Sequence, residues 1–191
     1  MSSGRLEAFS DGVIAIVITI MVLELRAPEE ASLEALFSLA PNFLTYILSF
    51  VFLGIYWNNH HHLFQAAEKV DGRVLWANLF LLFCLSLVPF VTGWMGESGL
   101  QPLPIAGYGV VLLLAAVAYF LLVRALVAVH GEDSRLAQSL GSDAKGKISL
   151  LIYALAVPLA FVNPFLAWGL YVSVALIWLV PDRRMEKALD S

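Results

Sequence analysis

The sequence predicts an all-α membrane protein with six transmembrane helices in a single domain over residues 1–191. Its 191 residues are 60% hydrophobic and 14% charged, whereas soluble domains average about 45–50% and about 25%. Apolar stretches of about 20 residues, the length of a helix that crosses a bilayer, recur along the chain. Segments of about ten residues with alternating hydrophobicity, typical of membrane β-barrels, do not occur in the sequence. Because a bilayer admits only helices or closed barrels, the spans are predicted to be helical.

The predicted spans are joined by short connections. The first ends in the charged sequence Leu-Glu-Leu-Arg rather than in small residues, so we expect it to be retained and not cleaved as a signal peptide. Residues 29–40 are amphipathic and precede Pro41, which predicts a short helix at the membrane interface. Asn163 and Pro164 predict a tight turn between the last two spans. The six predicted spans are residues 8–25, 42–64, 74–95, 104–129, 148–163 and 165–181.

Lysine and arginine are distributed unequally between the two faces of the membrane. If six spans place both termini on one face, that face carries ten basic residues and the other carries only Arg26. The positive-inside rule therefore predicts cytoplasmic N- and C-termini. The net charge of −4 is spread without a basic stripe, which argues against a nucleic-acid partner. The ten basic residues are Arg5, Lys69, Arg73, Arg124, Arg135, Lys145, Lys147, Arg183, Arg184 and Lys187.

The first span carries a narrow stripe of residues on one face. On a helix of about 3.6 residues per turn, Gly12, Ile16, Thr19 and Leu23 fall in line, and Ile20 flanks them. A stripe of isoleucine and leucine is ordinarily a lipid-facing or packing surface. A single threonine in a membrane helix ordinarily bonds to its own backbone one turn back. The stripe by itself therefore does not establish a pore.

Polar residues at the start of the first span indicate a contact between helices. Asp11 is costly at membrane depth, so a protein or water partner is expected for it. The second span ends, and the third begins, at the same face of the membrane, and both carry polar residues there. We expect these groups to form one hydrogen-bonded cluster between helices. The cluster residues are Arg5, Ser10, Asp11, His60, His61, His62 and Asn78.

The three consecutive histidines also allow other interpretations. Consecutive residues point about 100° apart on a helix, whereas a chelating histidine pair is better spaced four residues apart. Hydrogen bonding between helices is therefore favoured, with proton-sensitive histidines and a metal site as the alternatives. A short loop carries His130, Asp133 and Ser134, but without a positioned nucleophile or oxyanion donor they do not make a catalytic triad. We therefore expect neither an enzyme nor a metal or other cofactor.

Three motifs carry a resemblance to a known family. The chain resembles the bacterial branch of the transmembrane protein 175 family, the prokaryotic relatives of the lysosomal potassium channel. The resemblance covers the whole chain, and the motif that opens the first span is the most specific part of it. The motifs are Arg5-x-x-x-Phe9-Ser10-Asp11, then Trp57-x-x-His60-His61-x-Leu63-Phe64, and then Trp76-x-Asn78 with a later Pro89-Phe90.

The resemblance implies a homotetramer in which the first helix of each subunit lines a central pore for K⁺ and similar monovalent cations. It implies a constriction of side chains in place of a carbonyl filter, made by Ile16, Thr19 and Leu23, with Ile20 as a further candidate. It also implies a set of signature residues that hold the first helix against its neighbours. These are Arg5, Phe9, Ser10, Asp11, Trp57, His60, His61 and Asn78.

The expected location is the plasma membrane of a prokaryote, with K⁺ as the permeant ion and other copies of the chain as partners. Two functions of other classes remain as alternatives. A proton-coupled secondary transporter would predict discontinuous helices and an internal repeat, and the sequence indicates neither. A membrane assembly protein or enzyme without a transport role is the other alternative.

Overall fold

The structure is a computed structural model that describes residues 3–140 and 143–179. Those residues form helices and connections without a β-strand, so the all-α prediction is confirmed for the described part of the chain. The helices in it are α1 (Ser3–Leu23), α2 (Leu33–Ser38), α3 (Ala40–Gln65), α4 (Gly72–Ser86), α5 (Val88–Glu97), α6 (Pro102–His130), α7 (Arg135–Leu140), α8 (Ala144–Leu159) and α9 (Pro164–Leu179).

Four of the predicted spans correspond to helices that are long and apolar enough to cross a membrane. They are α1, α3, the combined α4 and α5, and α6, with 21, 26, 26 and 29 residues. The predicted spans 148–163 and 165–181 correspond to α8 and α9, which have 16 residues each. At about 1.5 Å per residue each is about 24 Å long, short of the hydrocarbon thickness of about 30 Å. The end of the last predicted span and the basic residues Arg183, Arg184 and Lys187 lie outside the described residues.

The third span is interrupted, whereas the sequence predicted one continuous helix over residues 74–95. α4 ends at Ser86, and α5 begins at Val88 with Pro89 in its first turn. Proline has no N–H group and its ring obstructs the preceding turn, which accounts for the interruption. The amide of Leu87 instead bonds to the carbonyl of Cys84 over 3.2 Å, a tighter turn that keeps the two helices connected.

The boundaries of several helices follow from capping side chains. Asp71 accepts bonds from the amides of Arg73 and Val74, at 2.9 and 3.0 Å, and so starts α4. Ser32 caps α2 in the same way, and the predicted interfacial helix over residues 29–40 is helical only over Leu33–Ser38. The amide oxygen of Asn163 accepts a bond from Leu166 at the start of α9, within the short connection that the sequence predicted there.

The core lies around α6, which packs against α4, α5, α8 and α9. A Cβ atom at Gly109 would collide with the hydroxyl of Tyr171, so glycine permits the close approach of α6 and α9. Buried hydroxyls connect α3, α5 and α6. Ser49 on α3 lies 2.6 Å from Thr92 on α5 and 3.0 Å from the hydroxyl of Tyr108 on α6. α1 packs on the side of this core, against α3, α4 and α5.

Candidate functional site

One face of α1 is packed against the core and the opposite face is uncovered. The packed face consists of Leu6, Ser10, Ile14, Val17 and Met21. The stripe predicted from the sequence lies on the uncovered face. Within one chain, Ile16 is 59% exposed, Ile20 is 42% exposed and Leu23 is 77% exposed. A helix in this position has a surface that requires lipid, water or another chain to cover it.

Thr19 is the polar member of this exposed stripe. Its hydroxyl donates a hydrogen bond to the carbonyl of Ile16 over 2.9 Å, which is the local bond ordinarily expected of a lone threonine. A hydroxyl oxygen has two lone pairs that remain available after its hydrogen has been donated. The bond therefore directs the hydrogen toward the helix and leaves the exposed oxygen able to accept from water or to contact a cation.

The N-terminal half of α1 contacts α3 through Asp11. The indole nitrogen of Trp57 donates a hydrogen bond to one carboxylate oxygen of Asp11 over 3.0 Å. Asp11 is half-buried and Trp57 is 44% exposed, so this contact lies at the edge of the single chain. The partner that the sequence required for Asp11 is thus an indole N–H group.

A second contact joins α1 to both α3 and α4 through a buried chain of side chains. Asn78 donates from its amide nitrogen to the hydroxyl of Ser10 over 2.9 Å, and Ser10 donates to the carbonyl of Leu6. Nε2 of His60 lies 2.8 Å from the amide oxygen of Asn78. Because that oxygen only accepts, Nε2 of His60 carries a hydrogen. Ser10, His60 and Asn78 are fully buried, and Nδ1 of His60 has no hydrogen-bond partner among the described residues.

A third contact involves Glu7, which was not among the residues predicted from the sequence. Its carboxylate lies 2.8 Å from Nδ1 of His61, and Gln65 contacts Nε2 of the same ring over 2.8 Å. The ring of His61 also stacks on that of Trp57. Glu7 lies one turn before Asp11, so the two carboxylates share one face of α1. This i, i+4 spacing is the feature of the sequence that could have identified Glu7 as a member of the site.

The predicted cluster therefore consists of three sets of hydrogen bonds rather than one hydrogen-bonded network, and the stacking of His61 on Trp57 brings two of them together. Six of the predicted signature residues take part in them: Ser10, Asp11, Trp57, His60, His61 and Asn78. Arg5 and Phe9 lie on the uncovered side of α1, and Phe9 is 53% exposed. With the described residues, Arg5 forms no hydrogen bond or ion pair, so the proposed role of these two residues stays a prediction.

The histidines do not form a cluster of metal ligands in the described part of the chain. No group of three or more His, Cys, Asp or Glu side chains is placed there to hold a metal ion. Each of His60 and His61 already has a side-chain partner, which is consistent with the hydrogen-bonding interpretation.

An open groove of about 760 Å³ lies between α1 and α5. Its walls are mainly apolar, and Glu24 and Glu97 lie at one end of it. It adjoins the exposed stripe, because Ile16 and Ile20 belong to both. The groove is lined by Val13, Ile16, Val17, Ile20, Glu24, Ser86, Pro89, Phe90, Gly93, Trp94 and Glu97.

Comparisons with known proteins identify the family. The family model described as "Endosomal/lysosomal potassium channel TMEM175" matches residues 5–89, a range that contains every predicted site residue. A protein of Chryseobacterium sp. (strain P1-3), named as a potassium channel, is 52% identical over 189 residues, which are 99% of this chain and 98% of that protein. The chain belongs to the TMEM175 family. The resemblance stated from the sequence motifs is therefore confirmed.

Two further comparisons extend the TMEM175 assignment over the whole chain. A Streptomyces collinus protein, also named as a potassium channel, is 32% identical over 203 residues. The match covers 99% of this chain and 98% of the Streptomyces protein. The crystal structure of a lysosomal potassium-selective channel TMEM175 homolog from Chamaesiphon minutus matches with a TM-score of 0.82. It is 27% identical, and the match covers 93% of this chain and 96% of that one.

Proposed function

We propose that this TMEM175 protein is a potassium-permeable cation channel whose pore is lined by α1. The observation that carries the proposal is the exposed stripe on α1, in which Ile16, Thr19 and Leu23 are uncovered while the opposite face is packed. The names of the Chryseobacterium and Streptomyces relatives support K⁺ as the permeant ion.

The proposed pore requires several copies of the chain, and we propose a homotetramer. One α1 helix presents a surface but encloses nothing, whereas four copies around an axis would form a ring at each level of the stripe. From Ile16 to Leu23 that constriction would be about 10 Å long, at about 1.5 Å per residue. The groove between α1 and α5 supports assembly, since a second copy would cover its apolar walls.

Ion selectivity in this proposal comes from partial dehydration. An ion that enters a narrow apolar ring loses part of its hydration shell, and K⁺ holds its water less tightly than Na⁺. A ring of Thr19 oxygens would replace some of that water, because each hydroxyl hydrogen is directed at the carbonyl of Ile16. Apolar rings at Ile16, Ile20 and Leu23 would close the pore by dewetting. Selectivity is expected to be moderate compared with a filter that has several carbonyl sites.

The membrane arrangement that fits this function has six spans. Four are the longer helices, and α8 and α9 are the fifth and sixth. Both termini would be cytoplasmic in the plasma membrane of a prokaryote, as the distribution of basic residues predicts. Glu24 and Glu97 would then lie at the outer mouth, where their charge would concentrate cations. K⁺ is the transported ion, and no cofactor takes part.

The signature residues would set the direction in which the stripe faces. Contacts from Ser10, Asp11 and Glu7 fix the base of α1 on α3 and α4. Arg5 and Phe9 are exposed in the single chain, and we propose that they contact the neighbouring copy. None of these residues would need to contact the ion.

The interruption of the third span at Leu87 is a feature that a secondary transporter would share. Transporters place polar or charged groups at such breaks to bind their substrate. Here the residues on either side of the break are apolar, apart from Ser86, whose hydroxyl donates to the carbonyl of Phe83 over 2.7 Å. The break therefore presents no polar side chain free to bind an ion, and the channel remains the favoured function.

Planar-bilayer recording of the purified protein tests the proposal. A channel gives discrete single-channel steps, and a reversal potential under K⁺ on one side and Na⁺ on the other gives the selectivity. Leu23→Ala is expected to raise the conductance because it widens an apolar ring. Leu155→Ala is the matched control, since Leu155 is also exposed, at 58%, but lies on α8. Transport without discrete steps would favour the transporter, and a native mass other than four chains would contradict the tetramer.

A further inference from the structure

His130, the last residue of α6, contacts the connection between α3 and α4 (residues 66–71). Its Nε2 atom lies 3.0 Å from the amide nitrogen of Glu68 and 3.2 Å from that of Lys69. Its Nδ1 atom lies 2.8 Å from the carbonyl oxygen of Leu126, one turn earlier on α6. Both ring nitrogens therefore contact main-chain groups.

The partners of His130 determine its tautomer and its charge. A backbone amide only donates and a carbonyl oxygen only accepts. Nε2 must therefore be unprotonated to accept from Glu68 and Lys69, and Nδ1 must carry the hydrogen that bonds to Leu126. This is a neutral imidazole. A protonated ring would point an N–H group at the two amides, and both of those bonds would be lost.

The connection that His130 contacts joins the ends of α3 and α4, and both of these ends form hydrogen bonds with α1. His60 and His61 lie shortly before it on α3, and Asn78 lies shortly after it on α4. Those three residues contact α1 at Glu7 and Ser10, directly or through one another. The position of the connection therefore sets how the ends of α3 and α4 are spaced against the base of α1.

We infer that His130 is a positioning residue for α1 and that its action depends on its protonation. The neutral imidazole holds the connection against α6 and so maintains the contacts of α3 and α4 with α1. Protonation releases the connection and weakens those contacts. The effect on conduction rests on the proposed function, because it requires α1 to line the pore, whereas the release of the connection does not.

None of the charged groups around His130 forms an ion pair with its imidazole within the part of the chain that the structure describes. A protonated Nε2 cannot accept from the two amides, so the hydrogen-bonded connection and the protonated imidazole exclude each other. The titratable and charged groups on the adjoining segments are His62 on α3, Glu68, Lys69 and Asp71 on the connection, Arg73 on α4, Arg124 on α6, and Glu132 and Asp133 after it.

Amide hydrogen exchange of the purified full-length protein tests the release. Exchange of the peptide over residues 66–71 is measured at about pH 8 and about pH 5.5, a range in which histidine changes its charge, and is corrected for the intrinsic effect of pH. We expect protection in the wild type to fall roughly tenfold or more in acid, because two hydrogen bonds are lost. His130→Gln keeps an acceptor near the position of Nε2 but does not titrate, so its protection should not change with pH.

His62→Gln is the matched control for the exchange experiment. His62 is another histidine at the same end of the helices. Its carbonyl accepts from the amide of Ala66, but its imidazole forms no hydrogen bond with the connection among the described residues, so a change of the side chain should retain the wild-type response. If His130→Gln loses protection in acid as the wild type does, or if the wild type does not respond, the inference is wrong.

K⁺ flux from vesicles with a varied inner pH tests the effect on α1. We expect the wild-type flux to change in acid and the flux of His130→Gln to stay constant. If the wild type shows the exchange response but its K⁺ flux does not change with pH, His130 does not position α1. The inference about α1 is then overturned. If no K⁺ flux occurs at any pH, the proposed function is contradicted instead, and the exchange result still decides the role of His130.

Discussion

The indole of Trp57 on α3 donates a hydrogen bond to the carboxylate of Asp11 on α1 over 3.0 Å. The residue before Asp11, Ser10, accepts a bond from Asn78 on α4. Consecutive residues point about 100° apart around a helix, so two such contacts with two different helices fix the rotation of α1 about its axis. That rotation determines where the stripe from Ile16 to Leu23 faces. The base of the helix thus sets the direction of a surface about one and a half to three and a half turns away.

The bond between Trp57 and Asp11 is expected to contribute measurably to stability. We expect Asp11→Ala and Trp57→Phe, combined in a double-mutant cycle, to show a coupling free energy of about 1 kcal/mol. The free energy of unfolding in detergent provides the measurement. Ion selectivity should not change in either variant, because the proposed role of both residues is to hold α1 and not to contact the ion.

Asp11→Asn refines this prediction, because asparagine still accepts from the indole but has no charge. A bond to the neutral amide is weaker than one to the carboxylate, so the main effect of Asp11→Asn should be a lower yield of assembled protein. If the assembled Asp11→Asn variant instead loses K⁺ over Na⁺ selectivity, Asp11 belongs to the ion path and the structural interpretation fails.

Asn78 is expected to be the most sensitive residue of the buried contact. Asn78→Ala leaves Nε2 of His60 buried without a partner, which costs about 1–3 kcal/mol, and the hydroxyl of Ser10 keeps only its bond to the carbonyl of Leu6. We expect the variant to lose about 2–4 kcal/mol of stability or to fail to accumulate in the membrane. Thermal unfolding in detergent measures the effect.

Asn58→Ala provides the control for Asn78→Ala. Asn58 is exposed on α3, two residues before His60, and its replacement should change stability by less than about 0.5 kcal/mol. Equal losses in the two variants would mean that the buried hydrogen bonds add nothing beyond the general effect of removing an amide.

Hydropathy predicts most of the fold, because each span must be apolar over its own length. The starts of α3 and α6 each lie two residues before the sequence-based boundaries at 42 and 104 for this reason, whereas α1 begins five residues before the predicted start at 8. The interruption at Leu87 was not predicted, since a proline inside an apolar run can kink a helix or interrupt it. Whether the helix is kinked or interrupted depends on the neighbouring helices, which accept the backbone groups that the proline leaves free.

The candidate site was predictable in its residue types but not in its pairing. Polar groups at membrane depth must find partners, and this requirement placed Ser10 and Asn78, which are hydrogen-bonded, in the predicted cluster. The pairing of Glu7 with His61 depends on how far α1 is shifted along α3. That shift is set by side-chain packing over the whole length of both helices, which hydropathy does not encode.

Asp143 gives a prediction of pH dependence. Burial raises the pKa of its carboxyl, while the amide of Gly146 and the charge of Lys147 act in the opposite direction. A carboxyl with a higher pKa in the folded protein stabilises the fold when protonated. That contribution is lost as the pH rises from the unfolded value, about 3.9, through the raised folded value. We expect Asp143→Asn, which keeps the cap without the charge, to gain stability over the wild type as the pH rises through this range.

Asp143→Ala separates the cap of α8 from the charge. Asp143 accepts from the amide of Gly146 over 3.2 Å, and its φ of 42° is a conformation that asparagine tolerates and alanine does not favour. We expect Asp143→Ala to be less stable than Asp143→Asn by about 1 kcal/mol at every pH. Melting temperatures of the three proteins between acidic and neutral pH provide the comparison. A constant difference between Asp143→Asn and the wild type would show that the carboxyl titrates alike in both states.

Thr19→Val tests whether the hydroxyl ring discriminates between ions. Valine has nearly the same shape, so the ring would keep its width and lose four oxygens in the proposed tetramer. We expect the permeability ratio of K⁺ to Na⁺ to fall about two- to tenfold, the effect of one lost polar contact of about 0.5–1.5 kcal/mol. Thr19→Ser retains the hydroxyl and should keep the ratio near the wild-type value. Reversal potentials with K⁺ and Na⁺ on opposite sides measure both variants. If Thr19→Val and Thr19→Ser give the same ratio as the wild type, the hydroxyl of Thr19 only bonds to Ile16, and ion selection occurs elsewhere on α1.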